Sequence, residues 1–224
     1  MKTFIFLSVM CITSLQTAFC QMSALKGSGK VVTKTFDFKN FDAVELKDLD
    51  GKIEVEAGRA YGITIAIDDN LEPLLLINEK NSILTIELNK NKNNRRYVEN
   101  SNIKILITVL QLSKVLQTGN SNTFIKNVEN KKFLIKSRGN GNITVEGNAE
   151  NVDIQRSGNG NVYAGKFIVN NATIVSTGNG DVKVNSSESF TANGSGNGDI
   201  KNIGKAKASA NSIKIGNGKI INNQ

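Results

Sequence analysis

Apolar and polar residues alternate along most of the chain after its first thirty residues. In the C-terminal half, β-branched or other apolar residues occupy every second position in short runs such as 143–145, 152–154 and 182–184. Alternation with a period of two residues is typical of a β-strand with one buried face. No segment of this half has an apolar stripe with helical spacing. The pattern predicts an all-β protein built from short strands.

The same half repeats a Gly-Asn-Gly tripeptide at a near-constant spacing. Its copies begin at residues 139, 158, 178, 196 and 216, which are 19, 20, 18 and 20 residues apart, and Gly119-Asn120-Ser121 is a degenerate copy. Each interval holds two short strands and two bends. Such a unit buries its apolar face only by stacking on its neighbours. We therefore expect a β-solenoid, a single-stranded β-helix of flattened, two-sheeted coils about 20 residues long.

The tripeptide suits a corner at which the backbone turns sharply. Glycine adopts positive φ freely, and asparagine tolerates that region better than other side chains. Stacked coils would place the asparagines above one another at roughly 4.8 Å, where their amides could form a hydrogen-bonded ladder. This predicted structural turn ladder consists of Gly139, Asn140, Gly141, Gly158, Asn159, Gly160, Gly178, Asn179, Gly180, Gly196, Asn197, Gly198, Gly216, Asn217 and Gly218.

Residues 31–118 lack the tripeptide but are equally rich in alternating segments. We expect one solenoid domain over 31–224, with irregular N-terminal coils at 31–118 that cap the regular coils at 119–221. The candidate strands of the irregular part are 31–37, 42–47, 52–56, 61–67, 73–78, 82–88, 102–110 and 112–117.

The first 20 residues predict a secretory signal peptide. Lys2 precedes an apolar run at 4–12, and Ala18-Phe19-Cys20 forms a cleavage site before Gln21. The bulky Phe19 favours simple cleavage, although lipid attachment at Cys20 is the alternative. We expect residues 21–30 to be a short linker, and the mature protein to be periplasmic, on the outer-membrane surface or secreted, without a transmembrane helix.

The residue types present exclude several kinds of chemistry. The chain has no histidine, and both of its cysteines precede the predicted cleavage point. Histidine-dependent nucleophilic catalysis and zinc sites built from histidine or cysteine are therefore excluded. Asp181 and Asp199 occupy equivalent positions in neighbouring repeats, and we interpret them as turn residues that cap adjacent amides, not as a catalytic pair or a calcium site. We expect no cofactor, no metal and no enzymatic activity.

The positive charge is unevenly distributed. Residues 21–118 carry 14 Lys/Arg against 13 Asp/Glu, whereas residues 119–224 carry 13 against 7. The excess of Lys/Arg in residues 119–224 has two interpretations. It can simply keep the surface solvated, or it can attract anionic polymers or lipid headgroups. Candidate surface contacts are Arg95, Arg96 and Tyr97 in a polar basic loop, and Tyr163 on an outward strand position. Nucleic acid is not expected as a partner, because no binding module is present and the protein is predicted to be exported.

Several segments resemble those of an exported bacterial family, the auto-transporter adhesin, head GIN domain family. They are Gly27–Val32, Phe41–Leu46, Ile65–Leu71 and Ile103–Val109, together with the serial glycine-rich turns. The similarity covers roughly residues 27–221. Two departures are Leu110, where the family often has proline, and Gly-Asn-Gly, where it often has Gly-Ser-Gly; both alternatives suit the same turns. The resemblance implies a pectin-lyase-like β-helix without catalytic residues and a role in adhesion.

These observations favour a non-catalytic solenoid of the cell envelope that contacts an anionic surface polysaccharide or an envelope protein through its sheet faces. A carbohydrate-active lyase or hydrolase on a β-helix is one alternative, because acidic and basic side chains can act on sugar acids. A purely structural component that assembles end to end is another.

Overall fold

The computed structural model describes residues 25–89 and 98–223. The predicted signal peptide and residues 21–24 of the predicted linker lie outside these residues. The strands are β1 (Leu25–Lys26), β2 (Val31–Phe36), β3 (Ala43–Leu49), β4 (Gly51–Ala57), β5 (Gly62–Asp68), β6 (Leu75–Lys80), β7 (Ile83–Leu88), β8 (Val98–Glu99), β9 (Ile103–Val109), β10 (Lys114–Gly119), β11 (Asn122–Gly139), β12 (Ile143–Gly158), β13 (Val162–Gly178), β14 (Val182–Ser195), β15 (Ile200–Asn202), β16 (Ile213–Ile215) and β17 (Ile220–Asn222). A single 3₁₀ turn, Glu72–Leu74, precedes β6.

Each of the long strands β11 to β14 is one coil of a solenoid. Its first half pairs with the first halves of the neighbouring coils, and its second half pairs with their second halves, with the register shifting at the bend between them. Sheet 1 therefore contains the first halves of β11–β14 with β2, β5, β9, β4, β15 and β17. Sheet 2 contains the second halves of β11–β14 with β6, β7, β3, β10 and β16.

Neighbouring coils are parallel and in register. Gly119 pairs with Gly139, Gly139 with Gly158, and Gly158 with Gly178, so equivalent residues of successive repeats form rows across the sheets. The stacked coils are about 20 residues apart. The predicted all-β solenoid with two sheets is confirmed, and the tripeptides occupy the corner at which the chain passes from sheet 2 back to sheet 1.

The core lies between the two sheets and is made of the inward members of these rows. In sheet 1, Ile143, Val162, Val182 and Ile200 are paired in succession, and each is at most 1% exposed. The largest fully buried side chains include the phenylalanines at 41, 133, 167 and 190. Burial of such rows supplies the favourable free energy that an isolated coil lacks.

The N-terminal part of the domain differs from the predicted irregular coils. Its strands do not stack in chain order, because β3 lies between β10 and β7, and β4 lies between β11 and β9. The pairs β2–β5, β5–β9 and β6–β7 are antiparallel. Asn81 and Ser82 both have positive φ, 54° and 61°, as a tight hairpin turn between β6 and β7 requires. Residue alternation does not encode strand direction, so the reversal was not predicted.

Candidate functional site

The Gly-Asn-Gly corner has two glycines that are required for different reasons. The first, represented by Gly139 with φ of 132°, lies in a region that L-residues rarely adopt. The second, represented by Gly160, has the carbonyl of the preceding coil against it, and a Cβ on it would lie 2.1 Å from the oxygen of Gly141. The corner therefore combines a special conformation with a very close approach of stacked backbones.

The asparagines of the corner form a continuous hydrogen-bonded row along the outside of the solenoid. Each side-chain amide donates to the side-chain oxygen of the asparagine one coil earlier, and Asn120 of the degenerate copy begins the row. The donor–acceptor distances are 3.1 Å for Asn140 to Asn120, 2.9 Å for Asn159 to Asn140, 2.8 Å for Asn179 to Asn159, 2.8 Å for Asn197 to Asn179 and 3.0 Å for Asn217 to Asn197.

Removal of an interior asparagine should destabilise the protein more than removal of the last one. Asn159 both donates and accepts within the row, so Asn159→Ala is expected to lower the free energy of unfolding by about 1 kcal/mol. Asn217→Ala removes only a donor to Asn197 and should cost about half as much. Equilibrium unfolding in urea measures both. Equal losses for the two variants would show that the row itself contributes nothing beyond local turn preference.

A second row runs beside the asparagines, at the position after each tripeptide. The side-chain oxygens of Asn142, Asn161, Asp181 and Asp199 each accept the backbone N–H of the equivalent residue in the next coil, at 2.7–2.9 Å. Asp181 and Asp199 therefore cap amides of the next coil through one oxygen each. Within the parts of the chain that the structure describes, no group of three or more acidic residues could hold a metal ion.

Arg156 occupies an inward position of sheet 2 and fills the inside of the corner. It is 3% exposed. Its guanidinium donates to Ser176 Oγ at 2.9 Å and to the carbonyl oxygens of Gly158, Gly160 and Thr177 at 3.0, 2.8 and 3.1 Å. Burial lowers the pKa of the guanidinium and the nearby Asp181 raises it; since the ordinary value is so high, the group stays charged at neutral pH.

Sequence reasoning missed Arg156, although a signal was present. It follows Val152 and Ile154 at the inward phase of the strand alternation, where a charged residue is out of place. A residue of this type at that position indicates a buried cation with polar partners. Lys214 has a related role three corners later, two residues before Gly216, where its ammonium donates to the Gly196 carbonyl at 2.7 Å.

The outward face of sheet 2 has a shallow groove of about 610 Å³. Its lining includes Glu45, Lys136, Arg138, Gln155, Ser157 and Thr177. Lys136 and Arg138 are exposed, and neither forms an ion pair with any residue that the structure describes. The charge of Glu45 is compensated, because its carboxylate contacts Lys47 at 2.9 Å and accepts a hydrogen bond from Thr85 at 3.0 Å. The groove thus combines two free cations with hydroxyl and amide groups.

The predicted surface contacts fall in two places. Arg95, Arg96 and Tyr97 lie outside the described residues. Tyr163 is 44% exposed on the outward face of sheet 1, where its hydroxyl accepts a hydrogen bond from the Asn161 amide at 3.0 Å. The groove of sheet 2 does not include Tyr163, so the predicted contact and the groove are on opposite faces. Among the described residues there is no helix with the length and hydropathy needed to cross a bilayer.

Two solved structures have the same fold. A crystal structure described as a "putative adhesin" from Bacteroides fragilis is 24% identical, covers 89% of this chain and 100% of its own chain, and gives a TM-score of 0.66. A crystal structure described as a "putative lipid binding protein" from Parabacteroides distasonis is 18% identical, covers 89% and 99%, and gives a TM-score of 0.53. At these identities the likeness concerns the fold alone. No match was found among functionally curated proteins.

The family relationship is carried by the sequence. The family model described as "Putative auto-transporter adhesin, head GIN domain" matches residues 40–206, from just before β3 to beyond the fourth full Gly-Asn-Gly corner. This range is most of the chain and includes three of the four segments noted in the sequence, at 41–46, 65–71 and 103–109, whereas the segment at 27–32 precedes it. The chain therefore belongs to the auto-transporter adhesin, head GIN domain family.

Proposed function

We propose that the protein is an exported, non-catalytic binding scaffold of the cell envelope that holds an acidic polysaccharide in the groove of sheet 2. In this proposal residues 1–20 are removed as a signal peptide, and the solenoid acts as a rigid surface. Membership of an adhesin family supports binding of surface molecules as the general role.

The observation that carries the proposal is the pair of unpaired cations, Lys136 and Arg138, beside uncharged hydroxyl and amide groups in one groove. On the solenoid part of this face, over β10 to β14, the outward charged side chains are Lys114, Lys132, Lys136, Arg138 and Asp153, so cations predominate. Free cations on a surface attract an anionic polymer over roughly 10 Å at moderate salt. Ser157, Thr177 and Gln155 can donate and accept hydrogen bonds with sugar hydroxyls.

The arrangement of the carboxylates supports binding without catalysis. Asp181 and Asp199 each use one oxygen to hold a backbone amide of the next coil, and Glu45 is engaged by Lys47 and Thr85. General acid–base cleavage of a glycan needs a carboxyl group that is free to exchange a proton with the substrate. Where a catalytic carboxyl group would be needed, the groove instead has the cations of Lys136 and Arg138 and the hydroxyls of Ser157 and Thr177.

Binding of polygalacturonate tests the proposal. The double variant Lys136→Gln/Arg138→Gln is expected to bind this polyuronate about tenfold more weakly than the unmodified protein, because two charge contacts are lost. Affinity should also fall as the salt concentration rises. Isothermal titration calorimetry across a salt series measures both effects.

The matched control is Lys183→Gln/Lys201→Gln, which removes the same charge from sheet 1 and should leave the affinity nearly unchanged. An equal loss in both double variants would mean that net charge, and not the groove, attracts the polymer. Absence of binding by the unmodified protein, or release of shortened products from the polymer, would contradict the proposal directly.

A further inference from the structure

A row of outward side chains crosses sheet 1 at right angles to its strands. The row, called here the stacking row, follows from the register of the paired strands, in which each member lies directly opposite the next. Its members are Leu106 on β9, Glu54 on β4, Phe124 on β11, Thr144 on β12, Tyr163 on β13, Lys183 on β14 and Lys201 on β15. From Phe124 onward, each is the fourth residue after the asparagine of its repeat.

Large apolar or aromatic groups alternate with polar ones along this row. Leu106, Phe124 and Tyr163 are 42%, 42% and 44% exposed. Each is separated from the next by one strand that carries a smaller or polar residue, Glu54 or Thr144. Neighbouring strands are roughly 4.8 Å apart, so the three platforms recur at about 9.6 Å and extend over about 19 Å.

The platforms are held in place by the solenoid. The Tyr163 hydroxyl accepts a hydrogen bond from Asn161 at 3.0 Å, and the Asn161 side-chain oxygen accepts the backbone N–H of Asp181 at 2.7 Å. The ring is therefore tied to the polar row at the corner. Because the coils stack in register, the row is straight, and a ligand would meet its platforms without rearrangement of the backbone.

We propose that the stacking row binds an extended glycan of equatorially linked pyranoses, with the glycan axis parallel to the solenoid axis. In such a chain successive sugars are turned over, so equivalent faces recur once per disaccharide, and the length of an extended disaccharide is close to the platform spacing. The C–H faces of the sugars would pack on Phe124 and Tyr163. Thr144 and Lys183 would hydrogen-bond the hydroxyls of the sugars between.

Charge favours a neutral glycan on this face. Lys126 pairs with Glu54, and Lys166 pairs with Glu146 at 3.1 Å, so four charged groups beside the row are already neutralised. The two lysines of the row, Lys183 and Lys201, form no ion pair with a residue that the structure describes, but they lie on the strands after Tyr163, at one end of the row. Between Leu106 and Tyr163 the one charged member, Glu54, is paired, so this part of the row differs from the sheet 2 groove and suits a different class of glycan.

Titration with cellohexaose and maltohexaose tests the inference. Cellohexaose has equatorial links and an extended form, whereas maltohexaose contains the same sugar in a curved chain. The unmodified protein is expected to bind cellohexaose at least tenfold more tightly than maltohexaose. Phe124→Ala and Tyr163→Ala should each weaken cellohexaose binding by about tenfold, while Tyr163→Phe, which keeps the ring, should retain most of it.

Ile168→Ala is the matched control, since Ile168 is also a large exposed residue of β13, at 56%, but lies outside the row. It should bind cellohexaose like the unmodified protein, as should Lys136→Gln/Arg138→Gln. Equal affinity for the two hexaoses, or unchanged binding after loss of both rings, would overturn the inference. Polygalacturonate binding in the same preparations shows separately whether the sheet 2 groove is active, so failure of one site is not mistaken for failure of the other.

Discussion

Gly160→Ala is expected to destabilise the solenoid by about 3 kcal/mol or more. A Cβ at residue 160 would lie 2.1 Å from the carbonyl oxygen of Gly141, which belongs to the backbone of the preceding coil and cannot rotate away as a side chain would. The two coils would have to separate, and the hydrogen bond from the Gly160 amide to the Gly139 carbonyl, 3.0 Å long, would be strained or lost. Thermal and urea-induced unfolding, followed by far-ultraviolet circular dichroism, measures the loss.

Gly165→Ala is the matched control on the next strand. A Cβ there would meet the Lys183 side chain at 3.3 Å, which is flexible and can move, and Ile203 Cδ1 at 3.5 Å, an ordinary van der Waals distance. Because alanine also restricts the unfolded chain, stability should stay the same or rise slightly. If Gly160→Ala were as stable as Gly165→Ala, the close approach of the corners could not be a requirement of the fold.

Arg156→Met is expected to lower the free energy of unfolding by about 3 kcal/mol. Methionine fills much of the volume but donates nothing, so four hydrogen bonds from a charged group are lost. The Gly160 and Thr177 carbonyls and the Ser176 hydroxyl would lose a donor inside the protein. Replacement of a buried arginine by an apolar residue can be neutral when its partners are removed with it, but here the partners are backbone groups that remain.

Arg138→Met provides the comparison for this effect. Arg138 lies in the preceding coil, opposite Ser157, and is exposed, so its loss should change stability by about 0.5 kcal/mol or less. Lysine at 156 should recover only part of the stability, since an ammonium cannot reach the three carbonyls and the hydroxyl in the geometry of the guanidinium fork. Similar urea midpoints for Arg156→Met and Arg138→Met would contradict the assigned role.

The regular coils were predictable because their signal is repeated. Alternation predicts the strands, the period predicts the length of a coil, and each Gly-Asn-Gly marks a corner at which the backbones of neighbouring coils approach closely. The structure places Ser121, which has a Cβ, at the second glycine position of the first corner. Glycine is needed at this position from the next corner onward, because a Cβ on Gly141 would lie 2.0 Å from the Ser121 carbonyl oxygen. The family resemblance was likewise carried by local segments and is confirmed by the family match.

The parts that were not predicted depend on contacts between distant residues. In 31–118 the alternation located the strands but neither their direction nor their order, since a strand has the same pattern whichever way it runs and whichever strand it pairs with. For example, β3 pairs with both β7 and β10, although about 30 residues or more separate it from each of them. The sheet 2 groove depends on residues from five strands, which carry no motif of their own. The stacking row was visible only in part, through Tyr163, because its other members differ in residue type.

The ladder of asparagines also bears on how such a protein can evolve. Every corner presents the same donor on one side and the same acceptor on the other, so a coil produced by gene duplication would fit between two existing coils without new chemistry at the joint. The ladder is unbroken across intervals of 18 to 20 residues, so an insertion well outside this range would break the match. A solenoid of this kind can therefore lengthen or shorten its sheets in whole repeats, and each added repeat brings one more outward position, four residues past its asparagine, at which selection can change the residue type.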